Sequence, residues 1–169
     1  MDEREFDEFY AGSFQRITSQ VRAMIGDLDE AQECVQEAFV RAWTHRRTLQ
    51  RVDHPEAWVR TTAYRLAVSR WRRTVRARRP VDRALGSSGT AAGPDESYVA
   101  LISALGQLPD AQRQALVLHH IADLSVNDVA REVGVPVGTI KARLSRGRAA
   151  LAVLLADGVG ASQGGTVHA

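Results

Sequence analysis

At 169 residues, with 44% hydrophobic and 25% charged residues, the chain has the composition of an ordinary soluble globular protein and suits one medium domain or two small ones. The single cysteine, Cys34, excludes an intramolecular disulfide and a cysteine-rich zinc site. No apolar run approaches about eighteen residues and no leader pattern opens the chain, which predicts a cytoplasmic protein with no membrane partner. The net charge of +2 hides an uneven distribution: −7 over residues 1–40, +10 over 41–83, −4 over 84–130 and +3 over 131–169. Two basic blocks, each preceded by an acidic one, point to two nucleic-acid surfaces in two modules. Of the 22 basic residues only Lys141 is not arginine; that bias suits phosphate forks, and a GC-rich genome produces it too.

Residues 3–25 read as a helix, because Phe6, Phe9, Tyr10, Phe14, Ile17, Val21 and Ile25 recur at steps of three and four. Acidic residues crowd its start, where the helix dipole favours them. Gly26-Asp27-Leu28-Asp29 is a turn with a helix-capping candidate. A second helix is expected to about Arg46, with Ala31, Val35, Ala38, Phe39 and Ala42 inward and Trp43 beside them. Cys34 lies in this apolar pattern as a buried structural thiol. The opposite face carries Glu33, Gln36, Glu37 and Val40. Residues 47–54 are polar and basic without periodicity and read as a loop.

Pro55 opens a third helix, expected to about Arg76, with Val59, Ala63, Leu66 and Ala67 as its core stripe. Arg65, Ser69, Arg72, Arg73 and Arg76 share another face. Arg70, Arg72, Arg73, Arg76, Arg78 and Arg79 stand close together with no acid among them. A charged face is usually just solvated, but self-repulsion of this density favours a polyanion partner. Trp58 and Tyr64 could stack on an unpaired base; for Trp58 core packing is the stronger reading, and for Trp71 the two are even. His119 and His120 are adjacent and diverge, a poor metal pair, and His45 and His54 lack ligand partners at useful spacing. No metal and no cofactor is expected.

Gly86-Ser-Ser-Gly-Thr-Ala-Ala-Gly-Pro94 reads as a flexible linker within 77–95, and the domain boundary is expected there. Fully extended, that stretch reaches at most about 60 Å. A helical pair follows at about 95–107 and 109–122, split at Leu108-Pro109, with Ala115, Leu116, Leu118, Ile121 and Leu124 packing it against the next motif. That motif is Ser125 to Arg148. Ser125 caps a helix whose apolar stripe is Val126, Val129, Ala130 and Val133, Gly134 stops it, and Pro136 sits where a new helix tolerates it. The second helix carries Lys141, Arg143, Arg146 and Arg148, with Ile140, Leu144 and Leu151 inward. This is a helix-turn-helix, whose second helix enters the major groove. By that geometry Lys141, Ala142, Ser145 and Arg146 face base edges, while Thr139, Arg143 and Arg148 suit phosphates. Residues 156–169 read as a disordered tail. No strand pattern occurs. The fold class expected is all-α: two small helical bundles joined by a flexible linker.

Ala31-Gln-Glu-Cys-Val-Gln-Glu-Ala-Phe-Val-Arg-Ala-Trp43 and His54-Pro-Glu-Ala-Trp-Val-Arg60 resemble region 2 of the extracytoplasmic-function sigma factors of bacterial RNA polymerase. Leu105-Gly-Gln-Leu-Pro-Asp-Ala-Gln-Arg113 and Val135-Pro-Val-Gly-Thr-Ile-Lys-Ala-Arg-Leu-Ser-Arg-Gly-Arg148 resemble region 4 of the same family, in the same order. The resemblance implies that 1–76 binds core polymerase and reads the promoter −10 element, and that 96–155 reads the −35 element as duplex. It implies that Glu33, Gln36, Glu37, Val40 and Arg41 dock on the polymerase clamp coiled-coil. It implies that the loop near Thr48, Arg51 and His54 holds a flipped base, with Arg65, Ser69, Arg72, Arg73 and Arg76 bearing on the −10 backbone. An anti-sigma protein is implied as a further partner. The family commonly has Ala-Arg-Asn and a following Asp where this chain has Ala63-Tyr-Arg65 and Ser69.

Two functions compete on the residues alone. One is a polymerase specificity subunit; the other is a free-standing helix-turn-helix regulator with a sensing or dimerising N-terminal module. The first binds promoter duplex feebly without polymerase, and the second binds its operator unaided. An enzyme is disfavoured: there is no glycine-rich phosphate loop, nucleophile motif or paired-carboxylate site, so no catalytic residue and no small-molecule substrate is expected.

Overall fold

The computed structural model describes residues 1–77 and 96–162, without the side chains of 74–77 and 158–162. The expected linker, 77–95, thus lies outside the described residues except for its first, and so does the side chain of Arg76. Among the described residues every regular element is helical. The chain divides into two compact units, Met1–Gly89 and Thr90–Ala169.

The first unit is a three-helix bundle of α1 (Glu3–Ile25), α2 (Leu28–Thr44) and α4 (Pro55–Ala77), with a one-turn helix α3 (Arg46–Leu49) before α4. Local chemistry sets the ends. The Asp2 carboxylate accepts from the Glu5 amide at 2.8 Å, and the Glu5 carboxylate accepts from the Asp2 amide at 2.8 Å, a reciprocal cap that satisfies two otherwise orphaned donors. Gly26, at φ 84°, closes α1 in the left-handed conformation. The Asp27 carboxylate then accepts from the Glu30 amide at 2.9 Å and opens α2. The core holds Ile17, Val21 and Met24 of α1, Ala31, Cys34, Val35, Ala38 and Phe39 of α2, and Val59, Ala63 and Ala67 of α4. Leu66, expected in the stripe, is only half-buried. Arg60 is buried instead, its Nη1 donating to Gln20 Oε1 at 2.8 Å.

Residues 47–49, expected to be loop, are helical and form a single turn with Arg46. Leu49 is the reason: it is 2% exposed, and burying that one side chain holds a short polar stretch in a helical turn. Phe6, Phe9, Tyr10 and Phe14 of α1 meet Phe39 of α2 with ring centroids 4.9–6.2 Å apart. Trp43 packs on Phe6 at 5.0 Å, with the Arg46 guanidinium 4.2 Å from its centroid.

The second unit packs α5 (Glu96–Gly106), α6 (Asp110–Leu116) and α7 (Val126–Val133) against α8 (Val137–Ser162). Pro109 separates α5 from α6 as expected, but α6 passes into a π-helical turn over Val117–Ile121. The Ala122 amide donates to Val117 O at 2.9 Å and the Leu124 amide to Leu118 O at 3.1 Å. The wider turn rotates the residues beyond its start about the helix axis, so Ile121, expected in the core, is 37% exposed, whereas Val117 at its start is fully buried. The tail expected from 156 is contradicted as far as Ser162, because α8 continues to that residue. The run Ala149–Leu155 is rich in helix formers, and elongating an existing helix adds one hydrogen bond per residue fixed. Residues 163–169 lie outside the described residues. No helix among the described residues is long and apolar enough to cross a membrane.

Candidate nucleic-acid interface

The helix-turn-helix is built by caps. Ser125 Oγ accepts from the Asp128 amide at 3.1 Å and donates to Asp128 Oδ2 at 2.6 Å. Gly134, at φ 76°, ψ 36°, ends α7, its amide and that of Val135 both donating to Ala130 O. Pro136 O then accepts from the Thr139 and Ile140 amides at 3.0 and 3.3 Å and starts α8. Ile140, Leu144 and Gly147 are buried on one side of α8, and Leu151 is half-buried. Lys141, Ser145, Arg146 and Arg148 are exposed on the other side, with Thr139, Ala142 and Arg143 half-buried at its margins. Three of the four expected base readers therefore share one accessible side, with Ala142 at its margin. Arg146 Nε lies 3.4 Å from Ala142 O, which holds the side chain along the helix.

Two features here escape sequence reasoning. In the first, Arg148 Nε donates to His120 Nε2 at 3.1 Å, tying an expected phosphate contact to the π turn. His119 Nδ1 donates to Leu124 O at 2.7 Å and closes that turn. Gly147 is the second. A Cβ there would meet Leu116 Cδ1 at 3.0 Å and Cγ at 3.2 Å, so its lack of a side chain lets α8 approach α6. The signal was present: Gly147 continues the inward 140, 144, 151 spacing amid a basic helix.

In the first unit, Tyr64, Arg65, Val68, Ser69, Arg72 and Arg73 line a shallow concavity of about 510 Å³ on α4. It gathers four of the residues expected at the −10 element, with Tyr64 as an aromatic wall. Thr48, Arg51 and His54 are exposed in the segment that leads into α4. They stand apart from that concavity: His54 precedes Arg65 by three turns of helix, about 16 Å. His54 O accepts from the Ala57 and Trp58 amides and so opens α4. Trp58 is half-buried beside His45, ring centroids 6.1 Å apart, whereas Trp71 is 62% exposed.

The α2 face carries Glu33, Gln36, Val40 and Arg41 exposed and Glu37 half-buried. Arg70, counted in sequence among an acid-free basic run, turns onto this face. Its Nη1 lies 3.4 Å from Glu30 Oε1 and 3.1 Å from Glu33 Oε2, and its Nη2 2.8 Å from Glu37 Oε2. The other Glu37 oxygen accepts from Arg41 Nη2 at 2.6 Å. Hydrogen bonds from Arg41 and Arg70 hold the Glu37 carboxyl below the usual carboxylate range. Beneath them, burial and a hydrogen bond to Glu30 push the Cys34 thiol up to about 12, so it is an inert packing group.

Comparison with known proteins places these surfaces in a family context. Residues 10–77 match the sigma-70 region 2 family and residues 98–151 the sigma-70 region 4 family. The ECF RNA polymerase sigma factor EcfG of Rhodopseudomonas palustris is 33% identical over 139 residues, covering 79% of this chain and 75% of that protein. The ECF RNA polymerase sigma factor SigW of Bacillus subtilis is 30% identical over 153 residues, covering 79% and 80%. In fold, the chain is similar to the sigma factor RpoE of Bartonella quintana, solved with the anti-sigma factor NepR, at a TM-score of 0.78 and 24% identity over 90% of this chain and 97% of that one. It is also similar to CnrH, solved with the cytosolic domain of CnrY, at a TM-score of 0.66 and 23% identity over 92% and 90%.

Proposed function

The chain belongs to the ECF group of sigma-70 family RNA polymerase sigma factors, and from that premise we propose how its residues divide the work. It is a sigma factor: it associates with core RNA polymerase and directs promoter-specific initiation. The observation that carries this is the order of two modules in one chain, region 2 at 10–77 and region 4 at 98–151. A free-standing repressor has no use for that pairing. On this reading the chain contributes recognition, the polymerase contributes catalysis, and the protein works in the cytoplasm.

In our assignment 1–76 holds core polymerase and the −10 element, 77–95 tethers, and 96–155 reads the −35 element. Lys141, Ala142, Ser145 and Arg146 read base edges in the major groove; Thr139, Arg143 and Arg148 clamp phosphates. The exposed side of α8 that carries Lys141, Ser145, Arg146 and Arg148, with the other three at its margins, supports this. Arg65, Ser69, Arg72 and Arg73, grouped with Tyr64 around one concavity, take the −10 strand, where a cationic groove with an aromatic wall suits unpaired nucleotides; Arg76 is assigned with them. Thr48, Arg51 and His54 take a flipped base in a separate place. Glu33, Gln36, Glu37, Val40 and Arg41 meet the clamp coiled-coil, with Val40, 67% exposed, as the apolar anchor within a charged rim. The neighbour solved with the anti-sigma factor NepR supports an anti-sigma protein as a further partner.

Run-off transcription with core polymerase over a promoter library tests the whole assignment. Start sites that depend on the protein are expected, together with only feeble binding of promoter duplex by the protein alone. Footprinting of DNA without polymerase, and no dependent start site, would establish the regulator instead.

A further inference from the structure

The Arg70 guanidinium occupies the same carboxylates that the docking face offers. One side chain from α4 reaches three acids of α2, Glu30, Glu33 and Glu37, at 3.4, 3.1 and 2.8 Å. A planar guanidinium with five donors suits several carboxylate oxygens at once. The contact stays open to solvent: the side chains are 28% exposed for Arg70, 35% for Glu30, 68% for Glu33 and 37% for Glu37. Ion pairs of this exposure are weak and exchange readily. A basic partner helix arriving on Glu33, Glu37 and Val40 needs those same oxygens.

The charge balance of the patch turns on this one side chain. Glu30, Glu33 and Glu37 bring three negative charges, and Arg41 and Arg70 return two positive ones. Without Arg70 the patch would carry twice the net negative charge. We propose that Arg70 is a built-in competitor for the core polymerase: it holds the α2 acids in cis until a basic partner displaces it, and so sets the affinity of this sigma factor for polymerase. This rests on the assignment of the α2 face to the clamp.

The test is the affinity of the full-length protein for core polymerase, measured by fluorescence anisotropy for wild type, Arg70→Gln, Arg70→Lys and Val40→Asp. Arg70→Gln is expected to tighten binding roughly threefold to tenfold at low salt, with the gain shrinking as salt rises past about 0.3 M. Arg70→Lys, a single point charge without the fork, is expected between the two and guards against a misfolded Gln variant. In a Glu33→Gln, Glu37→Gln background the gain from Arg70→Gln should vanish. Weaker or unchanged binding by both Arg70 variants while Val40→Asp abolishes binding would overturn the competition and leave the docking assignment standing. Unchanged binding by Val40→Asp would overturn the assignment, and the competition with it.

Discussion

Arg146 and His120 serve the same helix in different ways: in our assignment one reads DNA, and the other braces the helix that does. Arg146 is exposed on the base-reading side of α8. Arg146→Ala is expected to lose about 1–3 kcal/mol of discrimination at one −35 base pair, seen as an altered preference across a −35 library, with binding to core polymerase unchanged. Loss of polymerase binding would refute the division between the two modules. His120 accepts from Arg148 only while its ring is neutral. Lost solvation, His119 with its centroid 4.7 Å away, and the Arg148 guanidinium all hold its pKa below the ordinary imidazole value. As pH falls below about 6.5 the unfolded chain takes the proton first, so the second unit loses stability, and the loss levels off once the folded ring is protonated too. Thermal unfolding of the full chain should show this unit flat from about pH 7 to 8 and less stable at about pH 5.5. His120→Gln should flatten that profile; an unaltered profile would show that another histidine carries it.

Among elements, the helix-turn-helix depends on one cap, one left-handed residue and one absent side chain. Ser125→Ala removes the α7 cap and is expected to cost about 1 kcal/mol. Gly134→Ala forces a Cβ into the left-handed region and costs about 1–2 kcal/mol. Gly147 sets two effects against each other. Alanine gains about 1 kcal/mol of helix propensity but brings a Cβ to 3.0 Å from Leu116, so Gly147→Ala should be close to neutral. Gly147→Leu cannot be accommodated and should cost about 1–3 kcal/mol. Urea unfolding of the four variants measures the series; a stabilised Gly147→Leu would show that α6 and α8 separate freely. The caps of α2 and α7 and the stop at Gly134 were legible in sequence because each involves residues no more than about four apart. The turn at 46–49 was not, because only the burial of Leu49 makes it helical.

For the whole molecule, affinity for the promoter is the product of weak contacts held on one chain. Arg72 and Arg73 are exposed on the α4 concavity, and in our assignment they meet phosphates of the −10 strand. Each contact to a single strand contributes about 0.7 to the salt dependence of binding, against about 0.9 for duplex. Arg72→Ala with Arg73→Ala should therefore reduce the slope of log K against log salt for the holoenzyme by about 1.4. An unchanged slope would remove both residues from the interface.

What the sequence by itself determined were the features written in neighbouring residues: the all-helical class, the two modules in order, the helix ends, and the turn that presents Lys141, Ala142, Ser145 and Arg146 together. Periodicity and capping act over one or two turns, so composition and spacing suffice to read them. Only the tertiary structure decided what happens between residues far apart in the chain. It buried Arg60 against Gln20, placed Gly147 against Leu116, and turned Arg70 away from its basic neighbours onto Glu30, Glu33 and Glu37. The acids that neutralise Arg70 stand more than thirty residues before it. One arginine of a run that looked like uncompensated charge was therefore neutralised by a helix whose position depends on packing, a relation that local sequence does not encode.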